Sequence, residues 1–182
     1  MVDTIRITSV AHPAAATCHS HPADLNDAEI ATADLTGLPV FHEHMTNMTP
    51  IGKVLTSYQP TRGEDAGALM CESLITDPEA IKRIESGQER GVSLGTELIH
   101  DMTDGHVLSR INKELSVCAQ GARPGCVTKW IARNNEPGRR VSTTHRASVF
   151  GAYGATRTGV DSYRDNKNPL VTVTCELSPR TH

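Results

Sequence analysis

Three short segments hold the residues able to do chemistry: Leu38-Pro39-Val40-Phe41-His42-Glu43-His44, Gly91-Val92-Ser93-Leu94-Gly95, and Lys113-Glu114-Leu115-Ser116-Val117-Cys118 leading to Gly121-Ala122-Arg123. A serine hydroxyl is a weak nucleophile at neutral pH. It needs an adjacent imidazole to accept its proton and a third group to fix that imidazole's tautomer. Ser93, His44 and Glu114 supply the three types. The chemistry they would perform is acyl transfer: His44 takes the proton of Ser93, the oxygen attacks a carbonyl, and Glu114 holds the other ring nitrogen. Activity would fall once His44 is protonated.

Each residue type also has a competing use. An isolated Gly-x-Ser-x-Gly string marks the nucleophile elbow of an α/β-hydrolase, but that fold needs more chain and a βαβ pattern. The string His42-Glu43-His44 places two imidazoles on one strand face, and His19, His21 or Cys18 could complete a zinc site for a metal-dependent hydrolase. The reading adopted assigns no metal and no cofactor, and treats His42 as a surface or supporting residue. Glu114 beside Lys113 has the look of a solvated charge, with His100 and His106 as rivals for the third position. Cys118 reads as a small buried thiol. A non-catalytic assembly or scaffold-linked module with an inert serine is the remaining class.

These side chains must be positioned by strands. Val40 and Phe41, Val92 and Leu94, and Leu115 and Val117 place apolar β-formers at or near period two, so Ser93 points away from Val92 and Leu94. On the third segment Glu114, Ser116 and Cys118 share one face. Further strands are expected at Thr4 to Val10, Ile51 to Tyr58 and Ala68 to Ile75, with a turn-rich loop from Gln59 to Gly67 and a helical turn within Asp24 to Ile30. Thr76-Asp77-Pro78-Glu79 reads as a helix start, with a capping residue, a first-turn proline and an acid near the positive end of the dipole, and the helix stops near Gly87. Beyond Trp130 only Ser148 to Tyr153 and Leu170 to Cys175 look strand-like.

The order and composition of these segments resemble the maturational proteases of herpesviruses, the assemblins, and their relatives the phage prohead proteases. A Leu-Pro pair precedes the catalytic histidine of assemblins, matched by Leu38-Pro39 before His44, and a later Gly-Val is matched by Gly52 and Val54 around Lys53. Their nucleophile lies in a Gly-hydrophobic-Ser-Leu-Ser string, here Gly91 to Gly95 with glycine in the last place. Their third segment runs Lys-His-hydrophobic-Ala-Leu-Cys, then Gly and arginines, and Lys113, Cys118, Gly121 and Arg123 keep their places. Glu114 stands where assemblins have a second histidine, as prohead proteases tend to have an acid. The paired arginines are reduced to Ala122-Arg123. The resemblance implies that the Ala122 backbone N–H holds the oxyanion directly and Arg123 through water.

The resemblance further implies a mainly β fold with some α (α+β): a single domain built as a mostly antiparallel closed β-barrel surrounded by a few helices. It implies a serine endopeptidase that cleaves scaffolding protein, with the capsid shell protein and a second copy in a homodimer as further partners. The place of action would be the interior of an immature capsid, in the bacterial cytoplasm for a phage or the nucleus for a herpes-like virus. Assemblins end in a helix that builds their dimer, and no comparable amphipathic helix is legible here. Because these proteases cut their own precursors between Ala and Ser, the only Ala-Ser dipeptide, Ala147-Ser148, becomes the expected self-cleavage site.

Composition is compatible with this expectation. A chain of 182 residues suffices for one well-buried domain. Aromatics make up only 3%, so the core must be aliphatic. Residues 1–130, read as the protease core, carry 10 Lys and Arg against 17 Asp and Glu, a net of −7; residues 131–182, read as barrel completion or linker, carry 8 against 4, a net of +4. No apolar run approaches a membrane span and no signal-like pattern opens the chain, so a soluble, intracellular protein is expected. Five cysteines, odd in number and without CxxC spacing, are expected to be free thiols.

Overall fold

Apolar alternation converts most of the chain into strands, and the turns between them carry the glycines and prolines. The computed structural model describes residues 3–17, 21–133 and 138–141, and the backbone of 170–173. In chain order the elements are β1 (Ile5–His12), a 3-10 turn (Ala15–Thr17), α1 (Asp27–Thr32), β2 (Pro39–His42), β3 (Gly52–Tyr58), β4 (Leu69–Ile75), α2 (Pro78–Ser86), β5 (Gly91–His100), β6 (Val107–Cys118), β7 (Thr128–Arg133), β8 (Arg139–Arg140) and β9 (Leu170–Val173). The expected strand at Ser148 to Tyr153 lies outside the described residues.

Both helices are set by local side-chain chemistry. Asn26 and Glu29 form a reciprocal capping box at the start of α1, so the helix begins at Asp27 rather than at Asp24. Asp77 caps α2 by accepting from the Ala80 N–H at 2.7 Å, Pro78 occupies the first turn, and Gly87 closes the helix with φ 77°. No helix among the described residues is long and apolar enough to cross a membrane.

The strands form one nine-stranded mixed sheet in the order β8-β7-β1-β4-β3-β2-β6-β5-β9. Every ladder is antiparallel except β2 with β6, which places Val40, Phe41 and His42 beside Leu115, Ser116 and Val117. The expectation of a closed barrel is corrected by this order. Closure would need β5 to pair along β7, but β9 already lies along β5 and β8 along β7. What joins the two regions is one bridge, Gly91 to Val127, flanked by Val92 N–H to Cys126 O and Thr128 N–H to Arg90 O at 3.0 and 2.8 Å. The sheet therefore curls back onto itself without a continuous ladder.

One face of the curl is the aliphatic core, made of Ile5, Ile7, Val40, Val54, Leu69, Ile75, Val92, Leu94, Leu115 and Val117, with Ile30 of α1 and Ala80, Ile81 and Ile84 of α2. Ile131 of β7 joins it, so β7 carries core residues across position 130. Because Val92 and Leu94 and then Leu115 and Val117 point into this core, the residues between them are turned to the opposite face.

Gly52 shows why a small residue follows the β2–β3 turn. A Cβ there would run into the Leu74 carbonyl oxygen across the β3–β4 ladder, where only backbone could give way. We expect Gly52→Ala to destabilise the fold by about 2 kcal/mol or more, read as a lowered urea midpoint with an unchanged m-value.

Candidate active site

His44 is delivered to the sheet by a kink at the end of β2. Glu43 and His44 adopt left-handed backbone conformations in succession, with φ 46° and 57°. Two such non-glycine residues cost on the order of 1–3 kcal/mol each and persist only where surrounding bonds hold them. Here the Glu43 N–H reaches Val117 O at 3.1 Å, the Glu43 carboxylate accepts from the Ala119 N–H at 2.9 Å, and the His44 N–H donates to Ser116 Oγ at 3.0 Å. The kink thus turns the chain over β6 instead of letting it run on.

The β5–β6 ladder sets the other partners. Ser93 lies opposite Ser116 and Gly95 opposite Glu114, all on the face turned away from the core. Directly opposed residues on an antiparallel pair present their side chains to the same side, with Cα atoms about 4.5–5.5 Å apart. Ser93 and the His44 main chain are therefore both neighbours of Ser116. Gly95 leaves room for the Glu114 carboxylate, since a Cβ would run into Oε1 and lie 2.7 Å from Cδ.

The centre of the cluster is a short contact. His44 Nδ1 lies 2.6 Å from Glu114 Oε1, with each side chain only 2% exposed. Glu114 Oε2 accepts from Ser116 Oγ at 2.8 Å, so both carboxylate oxygens are held. An ionised carboxylate only accepts, so Nδ1 carries the proton and Nε2 presents a lone pair. That Nε2 is buried and has no hydrogen-bond partner among the described residues. Orphaned buried polar atoms are rare, and each calls for a reason such as a catalytic role. Ser93 itself is 1% exposed on this face.

The segment after β6 packs on the start of β5. A Cβ on Gly121 would run into Val92 O, and one on Gly91 would meet Gly121 N, so two facing glycines allow backbone to touch backbone one residue before Ser93. Ala122 follows at once and packs against Ala23 and Leu98. Arg123 is buried and anchored, its Nε donating to Asp24 Oδ1 at 2.6 Å and its Nη2 to Ala23 O at 2.8 Å. Burial alone would raise the Asp24 carboxyl, but the Arg123 hydrogen bond and the His21 N–H hold it below the ordinary carboxylate range.

No protein-family model matches this chain, and no curated protein matches it. Among solved structures, the protease of Kaposi's sarcoma-associated herpesvirus, crystallised with a hexapeptide phosphonate inhibitor, aligns over 85% of this chain and 78% of its own with a TM-score of 0.51 at 18% identity. The chain has the fold of a herpesvirus protease. The varicella-zoster virus protease aligns over 87% of this chain and 79% of its own, with a TM-score of 0.46 at 11% identity.

Within this herpesvirus-protease fold the remaining sequence candidates fall apart from the cluster. His42 Nδ1 approaches Glu89 Oε1 at 3.0 Å, off the direction that a ring hydrogen bond requires, and Arg83 Nε already holds that oxygen at 2.6 Å. His100 and His106 sit at the far end of the β5–β6 hairpin, where His100 Nδ1 contacts Gly105 O and His106 is exposed. His44 and His42 thus face different carboxylates, and no group of three or more metal-ligating side chains occurs among the described residues. Cys71, Cys118 and Cys126 are buried; burial pushes the Cys71 thiol up to about 12 and, with Glu43 nearby, raises that of Cys118. Cys18, His19, Cys175, Ala147 and Ser148 lie outside the described residues.

Sequence reading missed Ser116 and Asp24 as members of the cluster. The signal for Ser116 was its place on the Glu114 face; Asp24 had none, because its partner lies 99 positions away.

His12 and His21 flank Asp24 and bear on acid stability. Leu25 N–H donates to His12 Nε2 at 3.0 Å while His12 Nδ1 faces Pro13 O at 2.7 Å, and Ala23 N–H donates to His21 Nδ1 at 3.1 Å. Each ring must accept, so each is neutral, and the 3.9 Å approach of His12 to Asp24 is not an ion pair. Burial first, then the Arg123 charge, lowers both from 6.5 to about 4. Below pH 6.5 the unfolded chain takes up protons that the folded chain refuses until about pH 4. We expect folding stability to fall as pH drops through that window, with His12 accounting for on the order of 2–3 kcal/mol and the more exposed His21 for less, before protonation of carboxylates such as Asp24 takes over at lower pH. Urea unfolding at a series of pH values checks this; equal stability at both ends of the window would contradict it.

Proposed function

We propose that this chain is a serine endopeptidase of viral capsid maturation, using Ser93 as nucleophile, His44 as general base and Glu114 as the group that orients the imidazole. The observation that carries the reading is the buried His44–Glu114 contact with Nε2 left unpartnered on the Ser93 face. It is supported by the segment resemblance to assemblins and by a fold shared with a protease that binds a hexapeptide phosphonate inhibitor.

The mechanism follows from proton positions. With Nδ1–H committed to Glu114, Nε2 takes the proton of Ser93 as the oxygen attacks a peptide carbonyl, and the imidazolium that forms is stabilised by the buried carboxylate. The tetrahedral oxyanion is held by the Ala122 N–H, on the segment pressed against Val92 and fixed through Arg123, with Arg123 acting through water. His44 returns the proton to the leaving amine, and water then hydrolyses the acyl-enzyme. The Ser116 hydroxyl accepts from the His44 N–H and donates to Glu114 Oε2, so its part in this mechanism is to hold the pair.

The substrate proposed is the scaffolding protein inside an immature capsid, in contact with the capsid shell protein, with a homodimer as a candidate working form. Self-cleavage between Ala147 and Ser148 would release residues 148–182, the distal part of the C-terminal region.

Labelling with a fluorophosphonate tests the chemistry. Wild type should be labelled, Ser93→Ala should not, and Glu114→Gln should react about 10²–10⁴-fold more slowly. Wild type that stays unlabelled would instead favour an assembly module with an inert serine. Intact mass spectrometry tests self-cleavage: wild type should lose residues 148–182 while Ser93→Ala stays whole, and identical uncut masses would end that part of the proposal.

A further inference from the structure

We infer that Ser116 is a positioning residue of this site, holding Glu114 and His44 in one geometry, and that Gly95 is the space this arrangement requires; the inference rests on the Ser-His-Glu reading above. Ser116 is fully buried, and its one hydroxyl makes two directed bonds. As acceptor it takes the His44 main-chain N–H at 3.0 Å; as donor it gives its proton to Glu114 Oε2 at 2.8 Å. A hydroxyl has one proton and can do both at once. The same atom therefore fixes the backbone that carries the imidazole and the carboxylate that orients it.

The opposite wall is Gly95. A Cβ at this position would run into Oε1 and crowd Cδ, so the carboxylate would have to shift from its place beside Nδ1. Glu114 is thus pinned from three sides: by Ser116 on Oε2, by His44 on Oε1, and by the bare backbone of Gly95 beside Oε1 and Cδ. Without the Ser116 hydroxyl, Oε2 would be a buried charged oxygen lacking this donor, and the carboxylate would rotate to find another. The His44 N–H, within a left-handed stretch, would lose this acceptor at the kink.

Two measurements test the role in the intact chain. In Ser116→Ala the fluorophosphonate labelling rate of Ser93 should fall about 10–100-fold, the size of one hydrogen bond to a charged group. Ser116→Thr, which keeps the hydroxyl, should stay within a few-fold of wild type, and Gly95→Ala should resemble Ser116→Ala. Independently of catalysis, the far-downfield proton resonance of His44 Nδ1–H should be present in wild type and Ser116→Thr and lost in Ser116→Ala, at unchanged far-UV circular dichroism. Should Ser116→Ala label at the wild-type rate and keep the resonance, the positioning role is overturned. If wild type is not labelled at all, the protease reading fails, and the resonance alone decides whether Ser116 positions the pair.

Discussion

The arrangement depends on one buried contact, His44 Nδ1 to Glu114 Oε1 at 2.6 Å. Taking a carboxylate out of water is expensive, and attraction to a neutral imidazole does not by itself offset the loss. The carboxylate is tolerated because both its oxygens are bonded and the partners are fixed by main chain. That condition reaches outward through the fold. The parallel β2–β6 pairing brings the end of β2 alongside Ser116; the double left-handed kink at Glu43 and His44 then stops the strand and folds the imidazole over β6. The antiparallel β5–β6 ladder puts Gly95 where the carboxylate must pass, and Ser93 two residues away on the same face. A one-residue slip of β5 against β6 would carry Ser93 into the aliphatic core and Leu94 onto the site.

A second buried charge pair, Asp24 with Arg123, has a different logic. It joins segments from opposite ends of the described chain, and two imidazoles pack beside it, each bound to accept a main-chain N–H. Such a pair contributes little net stability against a well-packed apolar alternative, yet removing one partner leaves an uncompensated charge. Its effect is geometric: it holds the segment 121–123, which has no strand or helix of its own, against the start of β5. The neutrality of His12 and His21 keeps positive charge from gathering around Arg123, which ties the placement of that segment to pH.

Legibility in the sequence followed the range of the interactions. Period-two alternation and turn residues were enough for β1 to β4 and for the parts of β5 and β6 at 91–95 and 113–118, and the Asp77, Pro78 and Gly87 signals for α2, because each depends on residues a few positions apart. Strand β7 was not read, since Thr128-Lys129-Trp130-Ile131-Ala132-Arg133 mixes basic and apolar residues without a bounding turn signal; it is a strand because β1 offers it an edge. The open edge between β5 and β7 was not readable either, as pairing order depends on which strand reaches an edge first in space. At the site, residue types suggested His44, Ser93 and Glu114, whereas the Asp24–Arg123 anchor spans 99 positions and leaves no local trace.

Positions 95, 114 and 116 are among those where the second and third segments depart from the assemblin strings, and in the fold they meet at one point. An imidazole at position 114 would need no second donor for a charged oxygen, so alanine at 116 and serine at 95 would be compatible with it. A carboxylate changes both requirements. It is acceptor-only, so its free oxygen needs a proton donor inside the protein, which Ser116 supplies. It also lies across the β5 backbone where a Cβ would stand, which glycine alone permits. The three differences belong together in physical terms, since at 2% exposure Glu114 has one oxygen bonded by Ser116 and the other lying where a Cβ at position 95 would crowd it.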